Sequence, residues 1–86
     1  MANPDELRRL YEALCAQPIL AERDFRFALE GHDRLVVNRG AHTRGIWRCA
    51  GNRFTWTPAG YNEPTHTVRE ADAAQRYTLI VLATAS

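Results

Sequence analysis

The apolar residues near the start of the chain repeat at helical spacing. They form one stripe along a predicted helix: Leu7, Leu10, Tyr11 and Leu14. Asn3 followed by Pro4 is typical of a helix N-terminus, because the Asn side chain can cap free N–H groups and proline fits the first helical position. Pro18 lacks an N–H donor, so we expect the helix to end before it.

The pattern then changes to a period of two. Phe25, Phe27 and Leu29 alternate with polar or small residues, as in a strand with one buried face. Residues 30–33 (Glu-Gly-His-Asp) have the composition of a turn, and residues 35–37 (Leu-Val-Val) predict a second strand. A second turn is predicted at residues 39–43, because Arg-Gly-Ala-His-Thr interrupts the apolar pattern.

The clearest local signal is a hairpin around Gly51-Asn52, where a leading glycine suits a type II′ turn. This two-residue loop pairs Trp47 with Trp56 and Cys49 with Phe54, which puts these four side chains on one face. The opposite face then carries the remaining side chains of the two strands: Arg44, Ile46, Arg48, Arg53, Thr55 and Thr57. A shift of one residue would mix the two sets, so the turn and the pattern predict the same register.

The last third of the chain predicts a loop and then a helix. Residues 58–64 contain two prolines and a glycine, which do not sustain a strand. Residues 67–70 (Thr-Val-Arg-Glu) have the form of a capping box, and they predict a helix from Val68 to about Leu82. Residues 77–81 would also fit a buried strand, so the pattern leaves the course of residues 76–86 open.

These elements predict an α+β fold with the order αββββα. An N-terminal helix, a four-stranded antiparallel meander and a C-terminal helix form a single domain over residues 1–86. Because one sheet face is apolar, we expect both helices to pack on that face.

Composition narrows the class of protein. The chain has 86 residues, 45% of them apolar and 24% charged, which is typical of a globular protein. The net charge of +1 does not indicate a strongly basic nucleic-acid binder, although all eleven basic residues are arginines. The start of the chain lacks a signal-peptide pattern and the longest apolar run, residues 79–83, is too short for a membrane span. We therefore expect a cytoplasmic protein with Cys15 and Cys49 reduced.

The first candidate site is the polar sheet face. Arg44, Arg48 and Arg53 share this face in the predicted register, and Arg39 lies nearby in the preceding turn. A basic sheet face can lie along a phosphate backbone. Ordinary solvated strands also carry arginine and threonine, so the face alone does not identify a ligand. Trp47 and Trp56 are predicted inside and are therefore not available for base stacking.

The second candidate site is one end of the sheet, where the turn before the third strand meets the loop after the fourth. This end collects seven polar or aromatic residues: Arg39, His42, Arg44, Tyr61, Asn62, Glu63 and His66. Binding residues concentrate on loops that a rigid scaffold positions, although loops are rich in polar residues in any case.

No catalytic group, metal site or cofactor is predicted. Paired Cys or His spacings of the kind that bind zinc do not occur, and no phosphate-binding or nucleophile motif is present. Cys49 is expected inside the sheet, where a thiol behaves as a small hydrophobic group. A general base at His42 or His66 would support a small hydrolase or isomerase, which is the third hypothesis in order.

The first hypothesis is a small non-enzymatic interaction module of regulatory, adaptor or inhibitor type. It would bind another protein, or itself as a homodimer, because exposed Arg and Tyr are favoured at protein interfaces. The predicted binding residues are Arg39, His42, Arg44, Arg48, Arg53, Tyr61 and His66. The alternative is a nucleic-acid-binding module that uses the arginine-rich face.

Overall fold

The computed structural model describes residues 4–31 and 33–84. The predicted cap at Asn3, the predicted turn residue His32 and the last two residues lie outside the described residues. In chain order the elements are α1 (Pro4–Cys15), α2 (Pro18–Glu22), β1 (Phe25–Glu30), β2 (Arg34–Arg39), β3 (His42–Ala50), β4 (Arg53–Pro58), β5 (His66–Val68) and α3 (Ala71–Thr84).

The strands form one antiparallel sheet in sequence order, β1-β2-β3-β4-β5. The predicted β3–β4 register is confirmed: Trp47 lies opposite Trp56, and Cys49 lies opposite Phe54. Gly51 has a φ of 62°, as expected at the first position of a type II′ turn, where glycine avoids the steric cost of a Cβ. The turn composition and the alternation of apolar residues were therefore sufficient to predict this hairpin.

Both long helices pack on one face of the sheet, which we call the inner face. Leu7, Leu10 and Leu14 of α1 are at most 1% exposed and join one core with Trp47 and Phe54 of the sheet. The predicted stripe of α1 is therefore buried, and the predicted α+β class with helices on a single sheet face is confirmed. The other face carries no helix, and we call it the outer face.

A buried pair of hydrogen bonds ties the sheet to α3. The indole Nε1–H of Trp47 donates to the Thr78 hydroxyl over 2.7 Å, and that hydroxyl donates to the Ala74 carbonyl oxygen over 2.7 Å. Trp47 is fully buried and Thr78 is 1% exposed, so both polar groups depend on these bonds. The contact fixes the position of α3 along the sheet.

Gly45 of β3 lies beside the indole of Trp56 on the inner face. A Cβ at this position would collide with the Trp56 ring, so only glycine allows the ring to cover the backbone here.

The structure corrects the prediction at the start of the C-terminal helix. Residues 66–68 form β5 and pair with β4, with His66 opposite Trp56 and Val68 opposite Phe54. The predicted start at Val68 is therefore wrong, and α3 begins at Ala71. The free edge of β4 offers a whole strand of hydrogen-bonding groups, and these outweigh the capping preference of Thr67.

Two further differences concern helices. Pro18 follows the end of α1, as predicted, but it also begins the short helix α2, which the sequence pattern did not predict. Within the described residues, the segment from Tyr77 to Thr84 is helical, so the open choice between helix and strand is decided for helix.

No helix in residues 4–31 and 33–84 combines the length and apolar composition that a membrane crossing requires.

Candidate functional site

A row of small or apolar side chains crosses the middle of the outer face. Its members lie opposite one another in four successive strands: Ala28, Val36, Ile46 and Thr57. Val36 and Thr57 are each 7% exposed although both helices lie on the other side. Neighbouring side chains of the same face, and at Thr57 the loop after β4, therefore cover them, so the outer face has an apolar centre.

Charged side chains flank this row. Four arginines and one glutamate of the described residues project from the outer face: Arg26, Arg34, Arg48, Arg53 and Glu30. Glu30 lies opposite Arg34, and Arg34 lies opposite Arg48, so the charges are neighbours in one row. The outer face therefore carries an excess of positive charge beside its apolar centre.

These arginines differ in their ion pairs. Arg26 lies 3.6 Å from Asp24, and Arg34 lies 3.9 Å from Glu30. Within the part of the chain that the structure describes, Arg48 and Arg53 have no carboxylate partner. Arg48 is also half-buried, whereas Arg53 is exposed at the start of β4. Arg48 is therefore a partly desolvated cation whose charge the described residues leave unpaired.

A shallow concavity of about 320 Å³ lies next to Arg48. Its floor is the end of the sheet, with Ile46 and Thr57, and the loop after β4 forms its wall with Tyr61 and Asn62. Three backbone hydrogen bonds hold the loop. They run from Ala59 N–H to the Arg44 carbonyl, from Tyr61 N–H to the Pro58 carbonyl and from Thr65 N–H to the Trp56 carbonyl. This folded-back loop brings Tyr61, which is 62% exposed, onto the same side as Arg48.

Thr57 has an unusual hydroxyl group. Among the described residues, its Oγ1 is the one buried side-chain polar atom that has no hydrogen-bond partner. Buried hydroxyls are usually hydrogen-bonded, because leaving one unpaired costs about 1–3 kcal/mol. Thr57 lines the concavity beside Arg48, so an unpaired hydroxyl and an unpaired cation lie at the same place.

Arg44 does not share the outer face with Arg48 and Arg53, contrary to the prediction. The register between β2 and β3 shifts at Val37 and Asn38, because Gly45 lies opposite Val37 and Thr43 lies opposite Asn38. Arg44 is therefore the extra residue of a bulge, which breaks the strict alternation of faces. Its side chain lines a second groove of about 310 Å³, together with Trp56, Tyr77 and Val81.

The predicted cluster at the loop end of the sheet is divided in the structure. The His66 ring stacks on Tyr77 of α3, with ring centroids 3.8 Å apart and planes 6° from parallel. The guanidinium of Arg39 lies 5.3 Å from the centroid of the Phe25 ring, and His42 is exposed opposite Arg39. His66 therefore lies apart from Arg39 and His42, and the loop residues of the cluster lie at a third location.

Tyr61, Asn62 and Glu63 line a separate open depression on the loop after β4. Only Tyr61 and Asn62 of the predicted loop cluster also line the concavity with Arg48. That any of these residues binds a partner stays a prediction.

The two cysteines are free, Cys15 exposed and Cys49 half-buried against the core. Burial, and secondarily the negative charge of Asp33, raises the pKa of the Cys49 thiol, which disfavours its reactive thiolate form. In residues 4–31 and 33–84, no three His, Cys, Asp or Glu side chains come close enough to hold a metal ion.

Sequence reasoning missed two features of this site. It assigned Thr57 to the outer face correctly, but nothing in the sequence indicated that its hydroxyl would be buried without a partner. It also treated residues 58–64 as a simple loop, whereas the loop folds back beside Arg48. The bonds that hold the loop are backbone bonds, which leave no signal in the choice of side chains.

No protein-family model, no curated protein and no solved structure matches the chain.

Proposed function

We propose that the chain is a small non-enzymatic interaction module that binds an acidic segment of another protein on the outer face of its sheet. A regulatory, adaptor or inhibitor role would fit this activity. The observation that carries the proposal is the concavity of about 320 Å³ beside Arg48, where a half-buried guanidinium and the Thr57 hydroxyl lie together and neither has a partner among the described residues.

The chemistry of these groups favours a carboxylate as ligand. A guanidinium forms two parallel hydrogen bonds with a carboxylate, and such charge-assisted bonds are about twice as strong as neutral ones. A threonine hydroxyl can donate a further bond after rotation about its Cα–Cβ bond. Ile46 and the exposed ring of Tyr61 offer apolar contact to the rest of an acidic peptide.

The alternative occupant is nucleic acid, because four arginines lie on the outer face. Two observations favour the protein partner. Arg39 and Arg44, two of the four arginines predicted to contact phosphates, lie away from the outer face. Trp47 and Trp56 are at most 3% exposed, and among the described residues one exposed aromatic ring, Tyr61, lies beside Arg48 for a base.

The experiment is an NMR titration of the labelled protein with two probes, a hexaglutamate peptide and a mixed-sequence single-stranded oligonucleotide. We expect the peptide to shift the amide signals of Ile46, Arg48, Thr57 and Tyr61. Arg48→Glu should abolish these shifts, and Thr57→Val should weaken them. Arg69→Glu makes the same charge change at an exposed residue beyond β5 and should leave binding unchanged.

Either of two results would overturn the proposal. The first is an absence of shifts with the peptide, or shifts spread evenly over all exposed arginines. The second is tighter binding of the oligonucleotide, with an affinity that falls roughly a hundredfold between about 50 and 200 mM salt, as expected when four arginines contact phosphates. That result would instead support the nucleic-acid alternative.

The proposed compartment is the cytoplasm. Support comes from Cys15 and Cys49, which are both unpaired thiols in the folded chain. Thiol titration of protein that is purified without reductant tests this: two free thiols per chain are expected, and an intermolecular disulfide through the exposed Cys15 would contradict it.

A further inference from the structure

The strand β1 lies open at one edge of the sheet. It pairs with β2 on one side, and no backbone hydrogen bond within the described residues reaches its other side. Ala28 and Glu30 are exposed, and so is Leu29, an apolar residue with 38% exposure. A free edge of this length presents a row of unpaired N–H and C=O groups that can pair with another strand.

Three features that often block such pairing are missing from β1: proline, lysine and a bulge. Its sequence, Phe-Arg-Phe-Ala-Leu-Glu, contains no proline and no lysine, and its register with β2 has no bulge. The opposite edge strand, β5, has only three residues, so it offers a much shorter template. The β1 edge is therefore the better candidate for strand addition.

The sequence of β1 is complementary to itself in the antiparallel direction. When two copies pair with Ala28 opposite Ala28, Arg26 of each copy lies opposite Glu30 of the other on the outer face. On the inner face, Phe27 of each copy lies opposite Leu29 of the other. Two-fold symmetry thus creates two opposite-charge pairs and two apolar pairs from a single strand.

Two neighbouring registers also place outer-face residues opposite outer-face residues, but their side-chain pairs are less favourable. Pairing centred on Phe27 puts Asp24 opposite Glu30, which brings like charges together, and leaves Arg26 opposite Ala28. Pairing centred on Leu29 puts Glu30 opposite Ala28 and shortens the paired segment. Of the three, only the register centred on Ala28 forms opposite-charge pairs, and it pairs residues 26–30 of each copy.

We propose that the chain forms a two-fold symmetric dimer in which β1 pairs antiparallel with β1 of a second copy, centred on Ala28. The dimer contains one continuous ten-stranded sheet, with the helices of both copies on the same side. The exposed ion pairs of Arg26 with Asp24 and of Glu30 with Arg34 are weak and do not prevent the intermolecular pairs from forming.

This dimer goes beyond the proposed binding of an acidic partner and does not depend on it. The edge residues lie on β1, whereas Arg48 and Thr57 lie on β3 and β4. The dimer leaves the outer face open, so both copies keep their concavity beside Arg48.

Charge reversal tests the proposal, with mass measured by light scattering and sedimentation between about 10 μM and 1 mM protein. The wild-type chain of 9.8 kDa should show twice that mass at the higher concentrations. Arg26→Glu and Glu30→Arg should each raise the dimer dissociation constant by at least about tenfold, because symmetry turns two attractive pairs into two repulsive ones. Mixing the two variants in equal amounts should restore the dimer, since each then supplies the opposite charge.

The controls separate this dimer from general charge effects and from the binding site. Arg69→Glu and Arg48→Glu should leave the dimer unchanged, and circular dichroism should show native folding for all variants. A monomeric wild-type chain at about 1 mM would overturn the proposal. A wild-type dimer that survives both single reversals, or that the mixture fails to restore, would overturn the β1 register in the same way.

Discussion

A buried threonine hydroxyl lies at each face of the sheet, but the two hydroxyls differ in their hydrogen bonds. Against the inner face, the hydroxyl of Thr78 in α3 accepts a hydrogen bond from Trp47 and donates one to the Ala74 carbonyl oxygen, both over 2.7 Å. On the outer face, the Thr57 hydroxyl is also buried but has no partner among the described residues. A buried hydroxyl without a bond weakens the fold, so the two hydroxyls should contribute to stability with opposite sign.

The arginines show the same contrast. Neither Arg39 nor Arg48 has a carboxylate partner among the described residues, but Arg39 lies over the Phe25 ring at the edge of the inner face, whereas Arg48 lies beside the concavity of the outer face. A half-buried cation without a partner does not contribute to stability in the way that a satisfied core residue does.

Two adjacent valines of β2 lie on opposite faces, so they test directly whether the faces contribute differently to the free energy of unfolding. Val37 is fully buried in the core, and Val36 is 7% exposed on the outer face. Val37→Ala should lower the free energy of unfolding by about 2 kcal/mol, because it removes two buried carbons and leaves a cavity. Val36→Ala should cost less, about 1 kcal/mol, because side chains of the outer face can relax into the space and leave a smaller cavity. Urea denaturation measures both, and equal losses would contradict the distinction between the faces.

Substitution by valine should change the free energy of unfolding in opposite directions at the two buried threonines. Thr78→Val leaves the buried Trp47 N–H without an acceptor and should destabilise the chain by about 1–3 kcal/mol. Thr57→Val removes an unpaired hydroxyl and should be neutral or stabilising by up to about 1 kcal/mol. Thermal denaturation followed by circular dichroism measures both changes.

Thr84→Val is the matched control for the threonine pair. Thr84 makes the same type of bond, from its hydroxyl to the Ile80 carbonyl, but on the exposed side of α3. Its loss should stay within about 0.5 kcal/mol. A large loss for Thr57→Val would show that its hydroxyl stabilises the fold, and the argument for a ligand at this position would fail.

The two cysteines should differ in the rate at which they react with a thiol reagent. Cys15 is exposed, whereas burial raises the pKa of the Cys49 thiol and lowers its thiolate fraction at neutral and mildly alkaline pH. An aromatic disulfide reagent at about pH 8 should therefore label Cys15 at least about tenfold faster. Cys15→Ser and Cys49→Ser assign the two phases. In denaturant the two rates should converge, and a persistent difference there would point to local sequence and not to burial.

Local sequence patterns were sufficient to predict the α1 stripe, the β3–β4 register and the α+β class with both helices on one face. These features depend on the spacing of apolar residues and on a glycine at a turn, which are properties of adjacent positions. The side of the sheet on which Arg48, Arg53 and Thr57 lie followed from the same alternation.

Only the tertiary structure decided the rest. The free edge of β4 recruits residues 66–68 into β5 and moves the start of α3 to Ala71, against the local capping signal at Thr67. The bulge between β2 and β3 turns Arg44 away from Arg48, and backbone bonds fold the loop after β4 beside Thr57. Each of these depends on hydrogen bonds between backbone groups, and such bonds are independent of side-chain identity. Local patterns were therefore enough to assign the faces of the β3–β4 hairpin apart from Arg44, whereas backbone pairing brought the side chains of the candidate site together.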